Sequence, residues 1–378
     1  MLLYVHYPFC RSKCAYCAFF SRERQEHLEQ VYFSALLREV RYWSDCLERP
    51  RISSLYIGGG TPSLMPTWYL ERLTEEIHRC FPLDVELEFT LEANPDSLDS
   101  ADRVRDLAGI GVNRISLGLQ SLDDDQLRLL QRPHTADQGL RAVEAVRSAG
   151  IGNLGLDLLW GLPNQTSRDW LGQLERVLSL EPEHISCYCL TLEEGTRLLG
   201  QAERGELDLP GEERLESMYV QGARLLQGRG YAHYEIANFA RPGYACRHNL
   251  GYWQGLDYLG LGPSAVSTIS TKRWAHPNDI VRYAESVQEG TPDRDAEDLT
   301  PGQRLRELVL LSLRNSEGLD LDHYRDWAGA DLFREKAEKI RALQERELIR
   351  IKGRRLYLTT RGMLLCDAIT GALMPEDV

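Results

Sequence analysis

Three cysteines, Cys10, Cys14 and Cys17, fall within eight positions near the start of the chain. Thiolates are soft ligands that select zinc or iron–sulfur clusters. A structural zinc site wants four protein ligands, yet no second C-x2-C pair and no H-x3–5-H follows. Three cysteines on one short loop can instead cap three corners of a cubane. The fourth iron is then left without a protein ligand, which suits chelation by the amino and carboxylate groups of a small molecule. The spacing favours a [4Fe–4S] cluster over zinc, with unliganded core thiols as the remaining reading. The other six of the nine cysteines are scattered. An odd count in a chain without a secretory signal argues against a disulfide framework.

The net charge of −13 weighs against a phosphate-backbone binder, so no nucleic-acid partner is expected. The one dense basic patch, Arg350, Lys352, Arg354 and Arg355, reads as a solvated hairpin face. No apolar run is long enough to cross a membrane. The N-terminus lacks the basic start and sustained apolar stretch of a signal peptide, so a cytoplasmic protein is expected.

Short β-rich runs alternate with amphipathic segments. Strands are predicted at Leu2–His6, Leu55–Ile57, Glu86–Leu91, Arg114–Leu119, Leu154–Leu159 and His184–Leu190. Helices are predicted at Glu26–Cys46, Thr67–Cys80, Ser100–Ala108, Ala136–Ala149 and Ser167–Leu180. Such alternation implies βαβ units and a parallel sheet. The fold class is therefore α/β, a partial (βα)6 TIM-like barrel spanning 1–270. A connecting segment, 271–300, contains Gly290, Pro292 and, just beyond, Pro301. A smaller C-terminal domain, 301–378, places helices, among them Leu332–Glu347, before a hairpin turning at Gly353. That order resembles a winged helix. The stretch Tyr231–Ser270 has poor periodicity.

Gly58-Gly59-Gly60-Thr61-Pro62 follows the second strand. It is neither a Walker loop nor a Rossmann fingerprint. Side-chain-free backbone there lets a ligand come close. Gly260-x-Gly262-x-x-Ala265 formally matches the dinucleotide fingerprint, but no helix is predicted after it, so it reads as a ligand-lining loop. Glu92, Gln120, Arg132 and Asp157 stand at predicted strand ends or just beyond, on the face that carries the cysteine loop. His6 is either a histidine packed at a strand end or a donor near the cluster.

C-x3-C-x2-C after a first strand, with the aromatic Tyr16 between the last two cysteines, resembles the signature of the radical S-adenosylmethionine (SAM) superfamily. Five further stretches extend the likeness: Tyr4–Cys10, Gly58–Ser63, Glu92–Pro95, Asn113–Ser121 and Asp157–Pro163. Together they resemble the oxygen-independent coproporphyrinogen III oxidase family, from about Leu2 to at least Ser267. That resemblance implies a [4Fe–4S] cluster on Cys10, Cys14 and Cys17. It also implies a SAM site lined by Tyr4, Gly59, Gly60, Thr61, Glu92, Gln120, Arg132 and Asp157.

The family has two branches. One comprises true oxidases, which decarboxylate coproporphyrinogen III in porphyrin biosynthesis; the other comprises haem chaperones of the HemW type. True oxidases carry a fourth cysteine two residues past the third, where this chain has Phe19, and an extension before the first strand. His248-Asn249-Leu250-Gly251-Tyr252-Trp253 is similar to the HNxxYW motif of the chaperones. The resemblance thus implies a protein that binds haem as cargo through His248, Tyr252 and Trp253 and hands it to recipient haemoproteins, as monomer or homodimer. The segment is expected to cover the barrel mouth. Cys246, two residues before His248, is a second candidate ligand. The alternatives are an anaerobic oxidase, or an HNxxYW segment that only packs the barrel while haem sits elsewhere, through His276, His323 or a dimer contact.

Overall fold

The computed structural model describes residues 1–98, 100–293 and 295–375. Arg294, in the predicted connecting segment, and 376–378, at the end of the predicted C-terminal domain, lie outside the described residues.

Six strands lie parallel in sequence order: β1 (Leu2–Tyr7), β2 (Ile52–Gly59), β3 (Leu83–Ala93), β4 (Arg114–Gln120), β5 (Leu154–Trp160) and β6 (His184–Cys189). The crossovers run through α1 (Glu26–Cys46), α2 (Thr67–Cys80), α3 (Ala101–Ile110), α4 (Asp124–Leu129) with α5 (Ala136–Ser148), and α6 (Ser167–Leu178). The face that each strand turns toward the helices is apolar and joins the core, while the opposite, barrel-facing positions are largely polar. In β1, Leu3, Val5 and Tyr7 join the core with Tyr32, Leu36 and Val40 of α1. Tyr4 and His6 face the barrel interior, where Tyr4 lies over Tyr56. Thr135 and Thr166 close capping boxes that start α5 and α6.

The barrel stays open, and the stretch without periodicity supplies both of its flanks. Beyond β6 come the antiparallel β8 (Asn238–Ala240) and β7 (Ala232–His233). On the other side β9 (Tyr258–Leu261) runs parallel to β1. Three antiparallel strands follow it: β10 (Val266–Ile269), β11 (Lys272–Ala275) and β12 (Glu297–Asp298). Strands of two to four residues leave too little alternation to read. The Gly260–Gly262 pair serves this packing. A Cβ on Gly260 would lie 2.2 Å from the Val266 carbonyl, and one on Gly262 (φ +94°) would lie 2.6 Å from the His6 carbonyl.

Two helices, α7 (Arg197–Glu203) and α8 (Glu212–Gly228), follow β6, and α9 (Arg247–Trp253) precedes β9. The 271–300 segment carries β11, β12 and α10 (Ile280–Gln288), which packs on α1. Beyond it lie α11 (Pro301–Leu313), α12 (Leu321–Ala328), α13 (Leu332–Glu335) and α14 (Ala337–Glu345). The helix expected over Leu332–Glu347 therefore breaks at Lys336, whose backbone (φ −118°, ψ 26°) leaves the helical region. A three-stranded sheet, β13 (Leu319–Asp320), β14 (Ile349–Lys352) and β15 (Arg355–Leu358), completes the helix-and-hairpin unit. Asn315 bridges to Glu235, and the Arg314 guanidinium sits over the Trp253 ring. Among the described residues, no helix is long and apolar enough to cross a membrane.

Candidate functional site

The cysteine loop is tied at its base. Phe9–Cys10 pairs with Arg22–Glu23, and the Arg22 amide donates to the Pro8 carbonyl. Within it the Ala15 amide donates to Leu130, and Tyr16 packs on a small cluster of Leu130, Leu159 and Leu162. An aromatic between the last two cysteines thus anchors the loop over the C-terminal ends of β4 and β5. All three thiols are partly buried and free of disulfides. Burial pushes the Cys10 and Cys17 thiols up. Metal binding displaces those protons.

Donors aim at the sulfurs. The Thr61 hydroxyl donates to Cys10 Sγ (3.5 Å) and Arg132 Nη1 to Cys14 Sγ (3.4 Å). Arg132 Nη2 also donates to Asn94 Oδ1 (2.6 Å) and the Gly118 carbonyl (2.8 Å), while Asn94 Nδ2 donates to Thr61 Oγ1 (3.0 Å). Asn94 thereby joins the glycine turn to the arginine. Its place in the Glu92–Pro95 stretch was the available signal, but no role could be read without the fold. Among the described residues no three His, Cys, Asp or Glu side chains converge on a point that could hold a single metal ion. Three thiols around a positively charged donor fit a larger anionic cluster.

The glycine turn leaves β2 directly beneath this loop. Gly60 N donates to the Tyr7 carbonyl (2.7 Å) and Thr61 N to Phe9 (2.8 Å). Gly59 has φ +108°, and a Cβ there would meet the His6 ring at 2.6 Å. Glu92 accepts from Gly59 N (3.0 Å) and the Tyr56 hydroxyl (2.8 Å). Burial, reinforced by Asp157, pushes its carboxyl up to about 7. A group so poised holds a proton readily in a bare site and ionises on meeting an ammonium. Asp157 accepts from Ser186 Oγ (2.6 Å) and Ser116 Oγ (2.9 Å), and burial raises it as well. Gln120, at the end of β4, takes a left-handed backbone (φ 62°) that turns the chain at the strand end. Tyr4 donates toward or accepts from His6 Nδ1 (3.1 Å), and His6 Nε2 reaches the Phe20 carbonyl (2.8 Å). The eight residues predicted for SAM thus stand on one concave face beside the thiols. Tyr56, Ser116 and Ser186 position two of them; Ser116 falls within the Asn113–Ser121 stretch, whereas Tyr56 and Ser186 lie outside every motif.

The HNxxYW segment forms α9. His248 is 1% exposed, with Nδ1 2.8 Å from Ser54 Oγ and Nε2 3.1 Å from the Tyr252 hydroxyl. Burial and the Arg114 charge lower its pKa to about 3, so the imidazole is neutral. The expectation that this segment covers the barrel mouth is corrected. Ser54 precedes Gly59 by five residues, about 16 Å along a strand, so α9 plugs the opposite, N-terminal end. Glu88 accepts from the Arg247 and His248 amides and holds it there. Gly251 admits Leu2, whose side chain a Cβ would meet at 2.6 Å. His276 is buried against Glu39, and the His323 ring packs on Trp327.

Residues 4–176 match the Radical SAM superfamily, and residues 299–365 match the HemN C-terminal domain. A Bacillus subtilis (strain 168) protein named heme chaperone HemW is 33% identical, over 99% of both chains. The chain belongs to the HemW family of radical SAM proteins. A zebrafish (Danio rerio) relative, radical S-adenosyl methionine domain-containing protein 1, mitochondrial, is also 33% identical, over 99% of this chain and 87% of its own. The fold matches that of Escherichia coli coproporphyrinogen III oxidase (HemN), with a TM-score of 0.84 over 99% of this chain and 89% of that one, at 24% identity. A radical SAM family brings with it a [4Fe–4S] cluster and SAM, and the donor set around the three thiols fits such a group.

Gly59→Val tests the turn. A β-branched residue strains at positive φ, and its side chain would press on His6. SAM affinity by calorimetry is expected to fall at least about tenfold, with the cluster absorbance retained. Unchanged affinity would place SAM elsewhere.

Proposed function

We propose that the protein is a haem chaperone. In this reading Cys10, Cys14 and Cys17 hold a [4Fe–4S] cluster, and Tyr4, Gly59, Gly60, Thr61, Glu92, Gln120, Arg132 and Asp157 hold SAM. His248, Tyr252 and Trp253 bind the haem that is passed to recipient haemoproteins. The observation that carries the SAM part is the pair of linked contacts Gly59–Glu92 and Thr61–Asn94–Arg132, which put a carboxyl on the glycine turn and a guanidinium on the Cys14 thiol. A [4Fe–4S] cluster held by these three thiols would supply low-potential redox chemistry beside the SAM site. Glu92 suits the amino group of SAM, Asp157 suits its ribose hydroxyls, and Arg132 offsets thiolate charge.

The haem part rests on family membership and on α9. Tyr252 and Trp253 line a cavity of about 880 Å³ that also reaches the cluster loop. His248 lies behind Tyr252, with its Nε2 on that hydroxyl. A neutral imidazole can ligate haem iron, here once the Tyr252 hydroxyl turns aside. Phe19 replaces the fourth cysteine of the oxidases, so oxidative decarboxylation is not assigned.

One experiment separates the readings. Reconstituted protein is expected to bind haem with a shifted Soret band at roughly micromolar affinity, about −8 kcal/mol. His248→Ala is expected to weaken binding or alter the axial-ligand spectrum while the cluster spectrum stays. Under anaerobic reducing conditions with SAM, coproporphyrinogen III is expected to remain unconverted. Turnover above a no-protein control would favour the oxidase, and a His248→Ala titration matching wild type would remove His248 from the site.

A further inference from the structure

The 880 Å³ cavity lies on the concave face of the sheet beyond β1, walled by the cluster loop, α9, β9–β11 and α11. It draws on both the barrel and the C-terminal unit. Its apolar surface is unusually open to solvent. Phe19 is 70% exposed, and Leu256 and Val266, 47% and 38% exposed, line the same space with Trp253 and Leu311. Such a patch marks a place where something apolar binds.

The charges of the lining are as informative. The chain carries −13 overall, yet the cavity is lined by three cations, Lys13, Arg273 and Arg304, against one carboxylate, Glu307. Both guanidiniums converge on that carboxylate, Arg273 Nη1 at 2.5 Å and Arg304 Nη1 at 3.1 Å. Arg273 Nε is further aligned by Thr268 Oγ1 (2.9 Å). Lys13 reaches the Phe19 carbonyl (3.3 Å). Arg273 and Arg304 against Glu307 leave one positive charge in excess, and Lys13 on the cluster loop adds a second, beside a broad apolar wall. The ligand this suits is flat, apolar and a dicarboxylate.

We propose that this cavity is the haem seat, with the ring against Phe19, Trp253 and Leu311 and the two carboxylates at Arg273 and Arg304. The inference rests on the chaperone reading and adds to it. It assigns carboxylate recognition to the junction of β11 and α11, and it gives the residue that stands where the oxidases have a fourth thiol a positive role as a ring platform. Glu307 then acts as an internal stand-in, taking one guanidinium nitrogen from each arginine on its two oxygens.

The test titrates haem and haem dimethyl ester into the reconstituted full chain. Wild type is expected to prefer the free dicarboxylate by about tenfold. The Arg273→Gln/Arg304→Gln double variant should lose that preference while keeping affinity for the diester. Phe19→Ser should weaken both ligands alike. Glu307→Gln should tighten haem several-fold, a sign that a merely structural salt bridge would not produce, and it serves even if the double variant folds poorly. Haem bound by wild type with its preference intact in the double variant, or untightened by Glu307→Gln, would move the carboxylates elsewhere. Wild type that binds neither ligand would overturn the chaperone reading itself.

Discussion

Replacing Cys10, Cys14 or Cys17 singly by alanine is expected to abolish the reconstituted iron–sulfur centre. Iron and sulfide, about four of each per chain in the wild type for a cubane, should fall toward zero together with the visible absorbance. The loop has no spare ligand. The other cysteines lie elsewhere in the fold: Cys187 on β6 and Cys366 at the start of the last helix, both buried in the core. Cys187→Ala and Cys366→Ala should therefore keep a full cluster. The fold should also persist in the three loop variants, because the loop's base is held by the Phe9–Cys10 and Arg22–Glu23 pairing and by Tyr16 packing. Far-ultraviolet circular dichroism checks that point. A variant lacking all three thiols that retained four irons and four sulfides would refute the ligand set.

Glu39→Ala is expected to destabilise the protein by about 3–5 kcal/mol, the cost of stripping one partner from a buried ion pair. Glu39 and His276 are both fully buried, with His276 Nε2 2.6 Å from Glu39 Oε1. The same carboxylate accepts from Gly262 N (3.0 Å), the Tyr283 hydroxyl (2.7 Å) and Trp43 Nε1 (3.2 Å). One side chain of α1 thus fastens the β9–β10 turn, the residue that follows β11, and α10. Glu39→Gln, which keeps one acceptor oxygen but turns the other into an NH2 donor facing two donors, should recover only part of the Glu39→Ala loss. Burial pulls the His276 pKa down, but the Glu39 carboxylate outweighs it and the net shift is upward. A raised histidine contributes stability that is complete below its unfolded pKa of about 6.5 and is lost as pH rises through its folded value. The urea midpoint of the wild type should therefore lose this share on the alkaline side, whereas Glu39→Gln should lack that component. Equal midpoints for wild type and Glu39→Ala would show that the pair holds nothing.

The amino-acid sequence by itself determined the parts of this protein whose physics is local. Three thiols seven residues apart end to end must share one loop, whatever surrounds them. The six parallel strands are legible because the residues they turn toward the helices are apolar at every second position, although of Ile52–Gly59 only Leu55–Ile57 stood out. The glycine turn is legible because consecutive residues without Cβ atoms directly after a strand have few other uses. Tertiary structure alone decided what joins these parts. Asn94 meets Arg132, and Ser116 and Ser186 meet Asp157, through strand register that no local pattern encodes. The HNxxYW helix reaches the N-terminal end of the barrel because Glu88, 160 residues before His248, caps its first amides. The Gly260–Gly262 pair became part of β9 and its following turn because β9 adds between β1 and β10, and the cavity exists because α11 returns over this part of the sheet. Ligand spacing and side-chain periodicity act within a few residues, whereas pairing partners are chosen by the whole chain as it buries its apolar surface.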